Sequence, residues 1–208
     1  MVCLRFNGNI VIVFGFICYI VVRVIILALK QKHKKSLVWF KELIRLLFVL
    51  YILMVISVTL FPLDIGVPHE KFTYRFLNFI PLISIVGDVN QVGTAYSGDS
   101  LFMIKLIVKN VGGNILMLMP LGFFMPILWG KFERLENTIM IGFLVSLSVE
   151  CLQFLELLLG LGMTRTVDID DVICNVLGTF LGYFIYKLII TLLGKRKKAS
   201  KLTSYLYS

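Results

Sequence analysis

Five residues near the C-terminal end of this 208-residue chain, Asp168, Asp171, Asn175, Gly178 and Gly182, follow one another at spacings of 3, 4, 3 and 4. A helix carries all five on one face. Arg165 and Asp170 flank the acidic end, and an apolar run long enough to cross a bilayer follows. Carboxylates are costly in hydrocarbon and small residues let helices approach closely, so such a stripe turns inward, toward other helices. Clustered acids can hold a divalent cation against a phosphate, exchange a proton with a substrate, or grip an amino or hydroxyl group. Arg165 suits a phosphate. The same residues also have plain structural uses. Acids at a helix start are favoured by capping and by the helix dipole, each worth about 0.3–2 kcal/mol, and the glycines serve as packing notches.

Two further apolar segments carry polar residues where a membrane should be dry. One holds Lys105, Lys109, Asn110 and Asn114 ahead of Pro120 and Pro126; another holds Ser146, Glu150 and Gln153, spaced 4 and 3 and again on one face. At about 1.5 Å per residue, Glu150 lies roughly 14 Å below the outer end of its helix and Gln153 about 9 Å. A carboxylate that deep must be protonated or paired. Lys109 is the nearest cation by depth. A structural Lys109–Glu150 ion pair and a ligand-facing acid are both open, and a polar funnel from the acidic rim down to Glu150 accommodates all three segments.

The elements that must position these residues are membrane helices. The chain is 59% hydrophobic with a mean hydropathy of +0.93, against about 45–50% apolar for soluble domains. Apolar segments predict helices at roughly 10–29, 43–61, 108–129, 138–159 and 172–193, each about the 20 residues a span requires. The fold class is all-α: a polytopic bundle of about five transmembrane helices. Its organisation reads as an N-terminal helix and basic linker over 1–45, a membrane domain over 46–193 and a basic tail over 194–208. The first segment lacks a small-residue cleavage site and reads as a retained helix, with Arg23 reaching toward the headgroups.

Thirteen Lys and Arg fall in the linkers 30–45 and 130–137 and in the tail, against four (Arg5, Lys71, Arg75 and Arg165) on the opposite side. The basic side is expected to be cytoplasmic, which sets the N-terminus outside and the C-terminus inside. The net charge of +9 therefore orients the chain and does not mark a nucleic-acid partner. Between the second and third helices, residues 62–107 form a long outer segment whose Phe76–Val86 stretch is apolar yet too short to span. A re-entrant or interfacial segment is expected there. Cys3, Cys18, Cys151 and Cys174 have no framework spacing, and His33 and His69 lie outside the apolar runs, which argues against a histidine-held zinc in the membrane.

Three blocks in order carry a likeness to a known family. They are Asn114-Ile-Leu-Met-Leu-Met-Pro120-Leu-Gly122-Phe, then Val149-Glu150-Cys-Leu-Gln153, then Arg165-x-x-Asp168-x-Asp170-Asp171-x-x-x-Asn175-x-x-Gly178-x-x-x-Gly182. Together they resemble the VanZ-like family, whose founding member is associated with resistance to the glycopeptide teicoplanin. Asn78-Phe-Ile-Pro81 resembles an early Asn/Pro element of that family, and the likeness runs from about Val58 to Tyr186. It implies a bacterial cell-membrane protein of the envelope that lowers lipoglycopeptide susceptibility. It implies no particular reaction.

Two functions follow as expectations. In the first, Asn110, Asn114, Glu150, Gln153, Arg165, Asp168, Asp171 and Asn175 bind or shield the headgroup of a membrane lipid or lipid-linked cell-wall precursor; the lipoglycopeptide itself is a further candidate partner. In the second, the chain is an intramembrane enzyme on a polyprenyl-linked or phospholipid substrate, with Glu150 as acid/base and Asp168 and Asp171 as metal ligands. No cofactor is required by the first; a divalent cation serves the second. A transporter is disfavoured, because no internal repeat is visible.

Overall fold

A computed structural model describes residues 4–32, 39–66, 77–161 and 166–206. Five helices have the length and hydropathy of membrane spans: α1 (Gly8–Lys32), α2 (Trp39–Leu60), α4 (Ser100–Leu128), α5 (Leu135–Leu158) and α6 (Ile169–Leu206). A short helix, α3 (Ile83–Asn90), lies between α2 and α4. The expected all-α membrane bundle is therefore the observed one.

Every span begins earlier than hydropathy alone predicts, α4 by the widest margin. α4 starts at Ser100 because the Asp99 side chain accepts the Phe102 N–H (3.0 Å), satisfying a donor that the helix start would otherwise orphan. The helix thus takes in Lys105, whose charge had hidden its first turns, along with the expected Lys109 and Asn110. α6 starts at Ile169, with Asp170 and Asp171 in its first turn.

Among the described residues, four short strands, which hydropathy did not foreshadow, gather at one end of the bundle. β1 (Leu4–Phe6) pairs antiparallel with β2 (Leu63–Ile65), tying the start of α1 to the end of α2. β3 (Leu77–Asn78) pairs parallel with β4 (Val167–Asp168), tying the start of α3 to the start of α6. α3 is interfacial in character. Its Ile83, Val86 and Val89 are exposed along one side, while Ser84 and Asp88 face a cavity described below.

The bundle is organised around α4 against α6. A Cβ on Gly178 or Gly182 would overlap the carbonyl oxygens of Ile115 or Met119 in α4, and one on Gly122 would overlap the Thr179 carbonyl in α6. The two backbones are in direct contact, the close approach that small residues permit between membrane helices. The notch expected at Gly178 and Gly182 is thus a packing surface. α5 closes on α6 by a similar device: Gly142 abuts the Thr179 side chain. Toward the other end, Leu118, Leu121 and Met125 form a core with Phe48, Tyr51, Phe132, Ile141 and Val145 around it.

α1 rides on the flank of α2, with Gly8 against Ser57 and Gly15 against Leu53. Arg23 does not reach for headgroups. Its guanidinium pairs with Glu42 of α2 (Nε to Oε2, 2.6 Å), and Arg45 donates to the other Glu42 oxygen at 2.7 Å. A carboxylate within reach offsets the cost of the charge more fully than a long stretch to the membrane surface.

Candidate ligand pocket

The start of α6 is assembled by side chains that consume backbone donors. Asp168 Oδ1 accepts the Asp170 N–H (2.9 Å) and the Asn78 side-chain amide (2.9 Å). Asn78 also donates to Ser84 Oγ (2.6 Å), and its own Oδ1 accepts the Ile80 N–H (3.2 Å). Both residues thus form local turns of the kind Asn and Asp favour, and they join across the β3–β4 pair. Asp170, almost fully buried, accepts the N–H groups of Leu82 and Ile85 at the start of α3. Leu82 is held with a positive φ of 65°, uncommon for a branched residue, and it is this captured N–H that keeps it there. α3 thus has its cap on a different helix.

These contacts frame a cavity of about 870 Å³, walled by α2, α3, α4, α5 and the start of α6. Of the residues singled out from the sequence, Asn110, Asn114, Gln153, Asp168 and Asp171 line it. Asn114 donates to Asp171, and Gln153 donates to the Thr59 carbonyl (3.0 Å), which fixes two side chains of the wall. Glu150 and Asn175 stand elsewhere. Glu150, 4% exposed, lies behind the wall and accepts the Asp168 backbone N–H (3.1 Å). Asn175, 1% exposed, sits in the α5–α6 seam and donates to Ser146 Oγ (2.9 Å). Arg165 lies outside the described residues.

The Lys109–Glu150 pair left open by depth does not form. Among the described residues the ion pairs are Arg5–Asp64, Arg23–Glu42 and Arg45–Glu42. Lys109 instead faces the cavity from α4. Among the described residues, no group of three or more His, Cys, Asp or Glu gathers where it could hold a metal ion. Asp168 and Asp171 each reach the cavity with one oxygen already accepting a hydrogen bond.

Several lining residues escaped the sequence reading. Ser84 and Asp88 come from α3, and Tyr51, Met54, Val55 and Val58 from one face of α2. Asp88 carried no signal, because it belongs to neither a stripe nor a motif. Asn78, which braces the wall, had one in its place beside Pro81.

The segments that build this pocket are also those that a family profile recognises. The profile of VanZ/LLP1 matches residues 48–190, well over half of the chain. The chain belongs to the VanZ/LLP1 family. Its VanZ/LLP1 core begins within α2 and ends within α6, so it holds every element that lines the cavity and leaves α1 outside. No curated protein and no solved structure matches the chain.

Proposed function

We propose that this VanZ/LLP1 membrane protein holds the headgroup of a membrane lipid or lipid-linked cell-wall precursor in its polar cavity. By binding or shielding that group it lowers susceptibility to teicoplanin-type lipoglycopeptides. The observation that carries the reading is a cavity of about 870 Å³ with Asn110, Asn114, Asp168 and Asp171 on its wall, inside a bundle of helices apolar enough to span a membrane. That volume falls within the roughly 300–1,000 Å³ typical of ligand sites. Polar side chains within membrane bundles mark ligand paths by default, given what they cost in hydrocarbon. The excess of Lys and Arg at the opposite end supports an outward-facing pocket in a bacterial cell membrane, with the N-terminus outside and the C-terminus in the cytoplasm.

The test is teicoplanin susceptibility of a sensitive Gram-positive host expressing the chain, beside Asp171→Asn at matched membrane levels. Protection by the wild type and its loss in the variant, with the host's lipids chemically unchanged, is the expected result. Equal protection by Asp171→Asn removes the cavity from the function. A lipid altered only when the protein is present replaces binding by turnover.

A further inference from the structure

The cavity is open sideways as well as polar within. Toward one end, α2 and α4 are closed on each other: Tyr51 donates to the Met117 carbonyl (2.9 Å), and the rings of Phe48 and Tyr51 pack on Phe124. Away from that contact, lining side chains of both helices are exposed. Met54 and Val58 of α2 are 57% and 71% exposed, Leu116 of α4 is 60% exposed, and all three line the cavity. Gly113 is also in the lining, and a Cβ there would meet nothing within 4 Å. Met54 is about 9 Å along α2 from its end at Leu60, by the helical rise. At that depth an opening faces acyl chains rather than water, since the hydrocarbon is about 30 Å thick.

The lips and the interior differ in chemistry. The lips are Met54, Val58 and Leu116. Inside, among the described residues, Asp88, Asp168, Asp170 and Asp171 share the lining with the ammonium of Lys109. Asp170 is committed to the N–H groups of α3, which leaves the other three acids with Lys109 to meet a ligand. We propose that the occupant is an aminophospholipid-type amphiphile. Its ammonium sits among Asp88, Asp168 and Asp171, its phosphate lies toward Lys109 and Asn110, and its chains leave through the α2–α4 mouth. Apolar lips match the chains, and the excess of carboxylates among the described lining residues disfavours a purely anionic headgroup. This rests on the reading of the cavity as a headgroup site and adds the route and the charge of the ligand.

The experiment is residue-level photolabelling of the full chain in vesicles. One probe is phosphatidylethanolamine with a diazirine midway along an acyl chain; the other is phosphatidylglycerol labelled in the same way. The expected result is several-fold more labelling by the first probe at Met54, Val58 and Leu116 than at Leu144 and Leu147, which are exposed on α5. Gly113→Trp is expected to erase that excess. Gly112→Trp, also in open space but outside the lining, is expected to keep it. Even labelling over all exposed side chains overturns the lateral mouth, and equal enrichment of the anionic probe overturns the cationic headgroup. Loss of antibiotic protection in Asp171→Asn together with even labelling leaves the headgroup site standing and removes only the route. Enrichment at the mouth without any antibiotic protection leaves the lipid site and its route standing and removes the protective role.

Discussion

Glu150 and Asp168 meet through the backbone: the buried Glu150 carboxylate accepts the Asp168 N–H at 3.1 Å. The deepest acid of α5 therefore braces the strand that opens α6, and through it the cavity wall. It is not in the lining itself.

Glu150→Gln is expected to fold and to retain antibiotic protection, because an amide oxygen can accept the same N–H. Glu150→Ala leaves that N–H buried without a partner, at about 1–3 kcal/mol. Thermal unfolding in detergent should show a clear loss for Ala and a small change for Gln. Equal losses in both would mean that the carboxylate's charge, and not its acceptor, is what the wall requires.

Asp170 holds α3 by its first N–H groups, so Asp170→Ala should loosen α3 and leave α4 to α6 intact. A hydrogen bond to a charged group is worth about 1.5–3 kcal/mol, so exchange of the Leu82 and Ile85 amides should speed up roughly 10- to 100-fold by the usual 1.4 kcal/mol per decade. Exchange at Met103 in α4 is the control. Unchanged exchange at Leu82 would show that β3–β4 pairing alone holds α3.

Glycines in this chain are expected to divide sharply. Gly178→Ala and Gly182→Ala drive a methyl into α4 carbonyls and should cost about 1–3 kcal/mol, the usual range for overpacking. Gly113→Ala enters open space and should be neutral or stabilising by about 0.5–1 kcal/mol, because alanine restricts the unfolded chain. Melting temperatures of the three variants in one detergent make the comparison.

The Asn78–Asp168 contact, 2.9 Å across a separation of 90 residues, should appear as energetic coupling. In a double-mutant cycle with alanine at each position, an interaction of about 0.5–3 kcal/mol is expected, as for contacting residues in one network. Strict additivity would assign the wall to backbone pairing.

Much of this architecture was legible in the residues. Hydropathy over some twenty positions and a spacing of three and four are local properties, and they sufficed for five helices, for an interfacial segment ahead of the third span and for the stripe of Asp171, Asn175, Gly178 and Gly182 on α6. Asp168 falls in β4, ahead of the helix. The three motif blocks carried the family, because their order survives any uncertainty about packing. Periodicity says which face a residue occupies and, through the helical rise, how deep it lies. It does not say what stands opposite.

Opposition was decided only in three dimensions. Depth placed Lys109 beside Glu150, yet rotation of α4 turns the lysine into the cavity while β4 brings a backbone N–H to the acid. Arg23 found Glu42 because α1 lies along α2. Asp170, off the stripe, became the cap of a helix more than eighty residues away, and Asp88 entered the wall because α3 is fastened over it. A helix start and a buried carboxylate each need a partner, and the sequence by itself states that need. Which partner meets it depends on the crossing of α4 with α6, where glycine lets two backbones touch.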